Sequence, residues 1–578
     1  MKDKTELLNF IQEADQTQTS WRQDAKEWSR MHKGEQWDKA DRDQLNEEER
    51  PALTFNIIRP LVRLLTGLER KTRYDVRVLP IGEGSDHVLA KCLNRLIKHI
   101  ETENNALYTY SEAYKSGLIT GRGWIKVDID QTKNIWGDIS ISEVDPYEMW
   151  VDPYTRKYDL SDSRYLIREL YLTEDEVIDT YPDIKDRIDK LTEIQPEHGD
   201  TISQLRKTFQ IYEMWYKEHI DHWYAIRVDT GEVELIPSEK LRQFRQVAKD
   251  NQNLQIEKFT RPEMYFAVFS NNELLEQGKS PYDHNMFPYV PFFADFIPRL
   301  GDEKPVWHSI VTDLIDPQKE KNKRKSMIID IILRFINKGF MFAKGAVLNQ
   351  DDLKTWGRKP GFSVELAEDK YDKFQILEGS APDPVLFTLD AVYDQDVHKI
   401  SGINPPMLGQ QESSRESGRT VMLRQQQGST MLTPYNDNMR LTRQTVAKQV
   451  LGLIQQIYTM GKMMRLLADN EQGETGFTPE EGAKLQALMK IKSDLSIGRY
   501  DVLLSDGAST PTTRQMEFIE LLELIKEGVV PITPNISKLV IKTSDLSVKN
   551  ELLAMIEQEM QQQAQQAQQQ QIQQAIMK

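Results

Sequence analysis

Two helical segments bracket a turn-rich insertion in the second half of this chain, and that order restricts the available folds more than any other feature. Asp316-Pro317 opens the first segment. An aspartate there caps free backbone amides, and proline suits the first helical position. The run continues to about Lys338 and stops at Gly339. Residues 340–382 are rich in turns, with strand candidates at 340–343 and 362–366. Pro384 opens the second helix, which ends at Ser401-Gly402. A polar loop, 403–417, leads into a very long helical run, 419–467. At 1.5 Å per residue that run is roughly 70 Å long. Pro434 lies inside it and predicts a kink.

The first half reads differently. Residues 1–120 carry helical periodicity. Trp21, Ala25 and Trp28 fall on one face, and Ile57, Ile58, Leu61, Leu64, Leu65 and Leu68 form a second stripe, interrupted early by Pro60. A third stripe runs from about His87 to Leu118. After the turn Gly121-Arg122-Gly123 the pattern becomes β, through Trp124, Ile125, Val127 and Ile129, then Ile139, Ile141 and Val144. Residues 173–192 look helical, and 205–297 alternate strand-like segments. The whole is an α+β chain, and its 578 residues allow about three to five domains. Near the end come a strand candidate at 499–504, a helix at 513–526 and a turn bounded by Pro531 and Pro534. The last segment, from about Ser547, is dominated by glutamine. Its stripe of Leu552, Ile556, Met560, Ala564 and Ala567 permits a helix that needs identical copies around it. A disordered tail is the alternative.

Charge and composition narrow the function. Lys and Arg total 74 against 90 Asp and Glu, a formal charge of -16. Such a chain does not grip phosphates along its whole surface. The single cysteine, Cys92, cannot form an internal disulfide; within an apolar helical run it reads as a small buried hydrophobe, in keeping with a reducing compartment. The N-terminal residues have no signal-peptide core, and the most apolar run, 327–336, is interrupted by Asp330 and Arg334. The expectation is a soluble protein made in the cytosol.

Catalytic and metal-binding patterns are missing from the sequence. The nearest imitation of a phosphate loop, Gly418-Arg419-Thr420, has no lysine. The nine histidines form no HExxH pair, and no GxSxG elbow is present. Asp128 and Asp130 resemble the start of a calcium loop, but Thr132 and Asn134 follow where the pattern requires other residues. The reading is therefore a non-enzyme without cofactor or metal.

Two features call for a functional account. Lys319, Lys321, Lys323, Arg324 and Lys325 crowd the first half of the helix at 316–338, and Ile328, Ile329, Ile331, Ile332 and Phe335 the second. Either this is a solvated face followed by a buried one, or the helix lines a channel or faces a neighbouring subunit. The loop at 402–417 is long, polar and nearly neutral, since Arg415 and Glu416 offset each other. Such a loop suits contact with sliding DNA that it does not grip.

The segment Ile400-Ser401-Gly402-Ile403-Asn404-Pro405-Pro406-Met407-Leu408-Gly409 resembles the portal proteins of short-tailed bacteriophages. So do Ser417-Gly418-Arg419-Thr420-Val421-Met422-Leu423-Arg424-Gln425-Gln426-Gln427-Gly428, Pro434-Tyr435-Asn436-Asp437-Asn438, and Leu314-Ile315-Asp316-Pro317-Gln318-Lys319-Glu320. The resemblance implies a portal fold: an α/β wing at 1–300, stem helices at 301–339 and 383–402, and a small α/β clip at 340–382. It further implies a tunnel loop at 403–418, a long kinked helix at 419–470, a crown at 471–546 and a helical barrel or tail at 547–578.

By the same resemblance the protein forms a dodecameric ring at one capsid vertex of the virion. Double-stranded DNA passes through that ring without sequence specificity during packaging and ejection. The implied partners are the terminase large subunit, the head-tail adaptor, and capsid and scaffolding proteins. Gln410, Gln411, Ser413, Ser414 and Arg415 would lie nearest the duplex, the basic run would meet phosphate or an acidic neighbour, and Asp351, Asp352, Lys354, Arg358 and Lys359 would meet motor and adaptor. Another virion structural, scaffold or ejection protein is the alternative; a nuclease or packaging ATPase is a third reading, without a motif to carry it.

Overall fold

Trp21, Ala25 and Trp28 do share one buried face. In the computed structural model they belong to α1 (Lys4–Lys33), which also buries Leu7, Ile11 and Ala14 and ends where Gly34 turns left-handed at φ 99°. The structure describes residues 2–71, 75–81, 87–132, 134–193, 207–228, 233–237, 240–250, 253–301, 303–336, 339–356, 363–368, 370–377, 383–402, 430–458 and 499–505, with isolated residues between 522 and 556. The chain divides into two compact units, one of Met1–Leu64 and Arg95–Ile497, the other of Leu65–Asn94 and Gly498–Lys578.

After α1, the short helix α2 (Lys39–Glu47) buries no side chain. Residues 51–57 follow without helix or strand and lead into α3 (Ile58–Lys71). Pro60 lies in the first turn of α3, where a missing N–H removes no intrahelical bond. Ile58, Leu61 and Leu65 are buried, as their spacing predicts. Next come β1 (Asp75–Ile81), α4 (His87–Glu103) and α5 (Ala106–Thr120). The single helical stripe expected from His87 to Leu118 is thus two helices. Asn105 adopts φ 50° between them, a left-handed conformation asparagine tolerates. Cys92 is fully buried.

The β region of the first unit forms two main sheets. In one, β2 (Arg122–Asp130) lies between β3 (Asp138–Val144) and β10 (Tyr289–Phe293), all antiparallel. Helix α5 lies tight against this sheet. A Cβ on Gly117 would sit 2.3 Å from the Phe292 ring, and one on Gly123 2.0 Å from the Ala113 carbonyl. The larger sheet has the order β4 (Met149–Val151), β5 (Tyr165–Thr173), β6 (Thr208–Arg227), β8 (Leu254–Phe269), β9 (Leu274–Lys279), with β7 (Val233–Ile236) also on β6.

Alternation along β6 splits its two faces. Tyr212, Met214 and Tyr216 join Leu7, Ile11 and Ala14 of α1 in one core. Phe209 and Ile211 turn to the other face, against Val177 of α6 (Glu174–Thr180) and Ile184. Beyond Tyr216 the β6–β8 ribbon runs on with most of its residues half-exposed or exposed, partly covered by β7 and by α7 (Leu241–Asp250). That helix is absent from the sequence reading, which took 205–297 as strands throughout.

Arg122 lies fully buried at the centre of the unit. Its guanidinium is sandwiched between Trp21 at 4.0 Å and Trp307 at 3.7 Å, and it donates to Gln18 Oε1 at 2.8 Å. Trp307 sits on β12 (Val306–His308), which pairs with β11 (Asp295–Ile297). In the second unit, β1 and β15 (Arg499–Ser505) pair antiparallel, with Val78 opposite Val502. Asn94 brackets Val78, accepting from its N–H at 2.7 Å and donating to its carbonyl at 3.0 Å. The strand expected at 499–504 is there; its partner β1 falls in a stretch read as helical. Leu552, Met555 and Ile556 are helical, whereas Met560, Ala564 and Ala567 and most of 513–526 lie outside the described residues.

Candidate functional site

The helix–insertion–helix order read from the sequence is built as α8 (Ile315–Ile336), β13 (Gly339–Phe342), α9 (Gln350–Trp356), β14 (Phe374–Leu377) and α10 (Pro384–Ser401). The second helix begins and ends where its caps predict. Asp383 Oδ1 accepts the Val385 N–H at 2.9 Å, and Gly402 closes the helix at φ 69°. In the insertion, β13 pairs antiparallel with β14, Phe340 opposite Ile376. The strand expected at 362–366 is displaced to β14: Leu366 makes only a single bridge to Val347, and Phe362 lies outside the described residues.

One face of α8 is polar, buried and occupied by backbone. Gln318, Asn322, Ser326 and Asp330 recur every four residues and are all nine-tenths or more buried. Gln318 Oε1 accepts the Ile57 N–H at 2.9 Å, Asn322 Oδ1 that of Phe55 at 2.8 Å, and Ser326 Oγ that of Leu53 at 3.0 Å. Gln318 Nε2 returns a bond to the Phe55 carbonyl at 2.8 Å. Residues 51–57 therefore form an extended strap lying antiparallel along the helix. The match is metric: four helical residues rise about 6.0 Å and two extended ones about 6.6 Å. At the strap's start, Arg50 Nε meets Asp330 Oδ2 at 3.2 Å.

The members of the basic run have different surroundings within the subunit. Lys319 pairs with Glu27 of α1 at 3.0 Å, and that contact raises its pKa. Arg324 lies 3.7 Å over the Tyr393 ring of α10 and 3.5 Å from Glu320. Lys321 and Lys325 are half-buried, and Lys323 is exposed beside the strap. At 100° per residue the run is distributed around the helix, and two of its members serve packing within the subunit. Asp351, Asp352 and Lys354 are exposed on α9, with Lys354 3.5 Å from Asp351. Arg358 and Lys359, and the loop residues Gln410, Gln411, Ser413, Ser414 and Arg415, lie outside the described residues.

Apolar side chains on the same elements face outward. Met327, Leu333 and Phe335 of α8, Met341, Ile376 and Leu377 of the strand pair, and Val385, Phe387, Leu389, Val392 and Ile400 of α10 are each at least 40% exposed. Among the described residues no helix is long and apolar enough to cross a membrane, and no cluster of three or more acidic, His or Cys side chains is placed to hold a metal.

The final described helix of this unit, α11 (Thr433–Ile457), begins at a 3-10 turn, 430–432, with Pro434 in its first turn. The part of the expected long helix ahead of this turn, 419–429, lies outside the described residues. The helix ends at Tyr458, whose backbone is extended, short of the 467 expected. It docks along residues 281–294 by reading their carbonyls. Asn438 Nδ2 donates to Phe293 and Ala294, Thr442 to Pro291, Gln449 to Phe287 and Gln456 to Pro281, at 2.7–3.1 Å. His284 is packed there, its ring stacked on Tyr282 at 5.4 Å and against Gly452 of α11. Its Nδ1 accepts the Met286 N–H at 3.1 Å, Nε2 is buried without a partner, and burial lowers its pKa to about 4.

Comparison with protein families decides the identity. The model of the family described as "Phage P22-like portal protein" matches residues 8–578. The chain belongs to the P22-like phage portal protein family. It is thus a bacteriophage portal protein, a structural component of the capsid vertex that acts in genome packaging. No curated protein sequence matches the chain. The polar ladder of Gln318, Asn322, Ser326 and Asp330 went unnoticed in the sequence because the flanking lysines dominate the pattern; its signal was a four-residue period of hydrogen-bonding side chains.

Proposed function

We propose that twelve copies of this chain close into a ring at one capsid vertex, and that DNA enters and leaves through its centre. In this reading α8 and α10 are the stem, 340–382 the clip that meets the packaging motor and the tail adaptor, and 403–418 the loop nearest the duplex. Residues 1–300 are the outer wing. The observation that carries the reading is the row of exposed apolar side chains on both stem helices and on the β13–β14 pair. Burying each such side chain contributes about 1.5–3 kcal/mol, which a neighbouring copy supplies when the same faces repeat around a ring. The formal charge of -16 is consistent with a wall that lets phosphate pass.

Electron microscopy of the purified protein tests the ring: closed particles with a central hole and about twelvefold symmetry are expected. Closed assemblies without a hole, or filaments, would favour a scaffold role. Replacing residues 410–415 with Gly/Ser tests the loop, and unchanged packaging and DNA retention would remove it from the channel.

A further inference from the structure

We infer that the strap and α8 form a one-way ratchet with two registers, one helical turn apart. The rungs are backbone N–H groups on the strap and side-chain oxygen acceptors on the helix, neutral at Gln318, Asn322 and Ser326 and a carboxylate at Asp330, so one acceptor can stand in for another. In the observed register, Ile57, Phe55 and Leu53 meet Gln318, Asn322 and Ser326. Shifting the strap by two residues against four of the helix displaces the elements by about 6 Å and brings new partners into line.

The two directions of slip are not equivalent. In one, Leu53 meets Asp330, Phe55 meets Ser326 and Ile57 meets Asn322, so three acceptors again receive three N–H groups. In the other, Ser326 meets Pro51, which has no N–H to give, and a rung is lost. The sequence therefore permits travel of the strap toward the C-terminal end of α8 and opposes the reverse.

The observed register is held by the ion pair between Arg50 and Asp330, by Trp37 Nε1 donating to the Leu53 carbonyl at 3.0 Å and by Asn56 Nδ2 donating to the His32 carbonyl at 3.0 Å. The ion pair must open before Asp330 can accept from Leu53, and the other two bonds must open with it. Room for Arg50 to leave exists. A cleft of about 270 Å³ borders it, lined by Trp37, Asp41, Leu45 and Met327. Helix α2, which leads into the strap, buries no side chain. A unit displacement is built into discrete bonds here, as in one-turn shifts of packed helices elsewhere. It gives α8 an axial degree of freedom independent of what the ring carries.

Thiol cross-linking on the full-length protein tests this directly. The only native cysteine, Cys92, is fully buried, so introduced pairs report alone. Three double variants are compared with a short bis-maleimide: Leu53→Cys/Ser326→Cys for the observed register, Phe55→Cys/Ser326→Cys for the forward slip, and Leu53→Cys/Asn322→Cys for the reverse, which leaves Pro51 in place. Each is made with Arg50 intact and with Arg50→Gln. The observed-register pair should cross-link in the Arg50-intact background, which also reports that the variants fold. Arg50→Gln should raise the rate of the forward pair about tenfold, equivalent to about 1.4 kcal/mol, and leave the reverse pair unchanged. A forward pair that does not respond to Arg50→Gln overturns the latch. Forward and reverse pairs that rise together overturn the directionality and leave only loosening of the strap.

Discussion

Lowering the pH from 7 to 5 should weaken the attachment of α11 to residues 281–294 by about 2 kcal/mol through His284 alone. The ring is enclosed by Tyr282 and Gly452, Nδ1 already accepts the Met286 N–H, and Nε2 has no buried acceptor. A proton on this imidazole would break the first bond and strand a charge at the second atom. The folded pKa is about 4 against an ordinary 6.5. Because the folded value is the lower one, the unfolded chain takes up the proton first. Stability present above pH 6.5 is lost as pH falls toward 4. At about 1.36 kcal/mol per pH unit, the loss between pH 7 and 5 is about 2 kcal/mol.

His32 is also depressed, by burial and the nearby Arg59, so the wild-type profile alone mixes both groups. His284→Asn separates them: its Oδ1 can accept the i+2 amide as Nδ1 does, and it does not titrate. Urea unfolding, followed by a probe on α11, should show wild type losing about 2 kcal/mol more than the variant over this range. Parallel profiles, within about 0.5 kcal/mol, would refute the assignment of this charge cost to His284.

Other expectations are equally direct. Arg122→Lys should destabilise more than Arg122→Met, by about 2 kcal/mol in chemical denaturation, because lysine keeps a buried charge yet loses the planar stacking between Trp21 and Trp307. Asn322→Leu should cost about 1–3 kcal/mol by orphaning the Phe55 N–H, whereas Lys323→Ala on the exposed side should stay within about 0.5 kcal/mol. Phe387→Asp, on the outward face of α10, should leave the monomer's melting temperature unchanged and abolish closed assemblies in light scattering.

The legible parts of this chain were those fixed by local chemistry. The bounds of α10 follow from Asp383, Pro384 and Gly402, each acting within a turn of its own position. The burial of Trp21, Ala25 and Trp28 follows from spacing. What escaped depended on distant partners or on a balance of local rules. Strand β1 has its partner more than four hundred residues away, so its pairing leaves little local mark. The break between α4 and α5 rests on Asn105 taking a left-handed conformation that the apolar period runs straight through. Pro434 signals a kink or a start with the same residue, and a 3-10 turn stands directly ahead of it. In the functional region, charge drew the eye to Lys319–Lys325, while the neutral side chains between them carry the backbone contacts.

The β6–β8 ribbon has a mechanical consequence. Its rungs run without interruption from Arg227 opposite Leu254 to Tyr212 opposite Phe269, so over about 50 Å there is no joint at which it can fold. At its root, Tyr212, Met214 and Tyr216 are clamped against α1, while Val228 and Phe259 near the far end stand in solvent. A beam supported at one end converts a small sideways load at its tip into torque at its base. Whatever leans on Phe259 twists the sheet beneath α1, and that sheet answers to distant touch as a lever does.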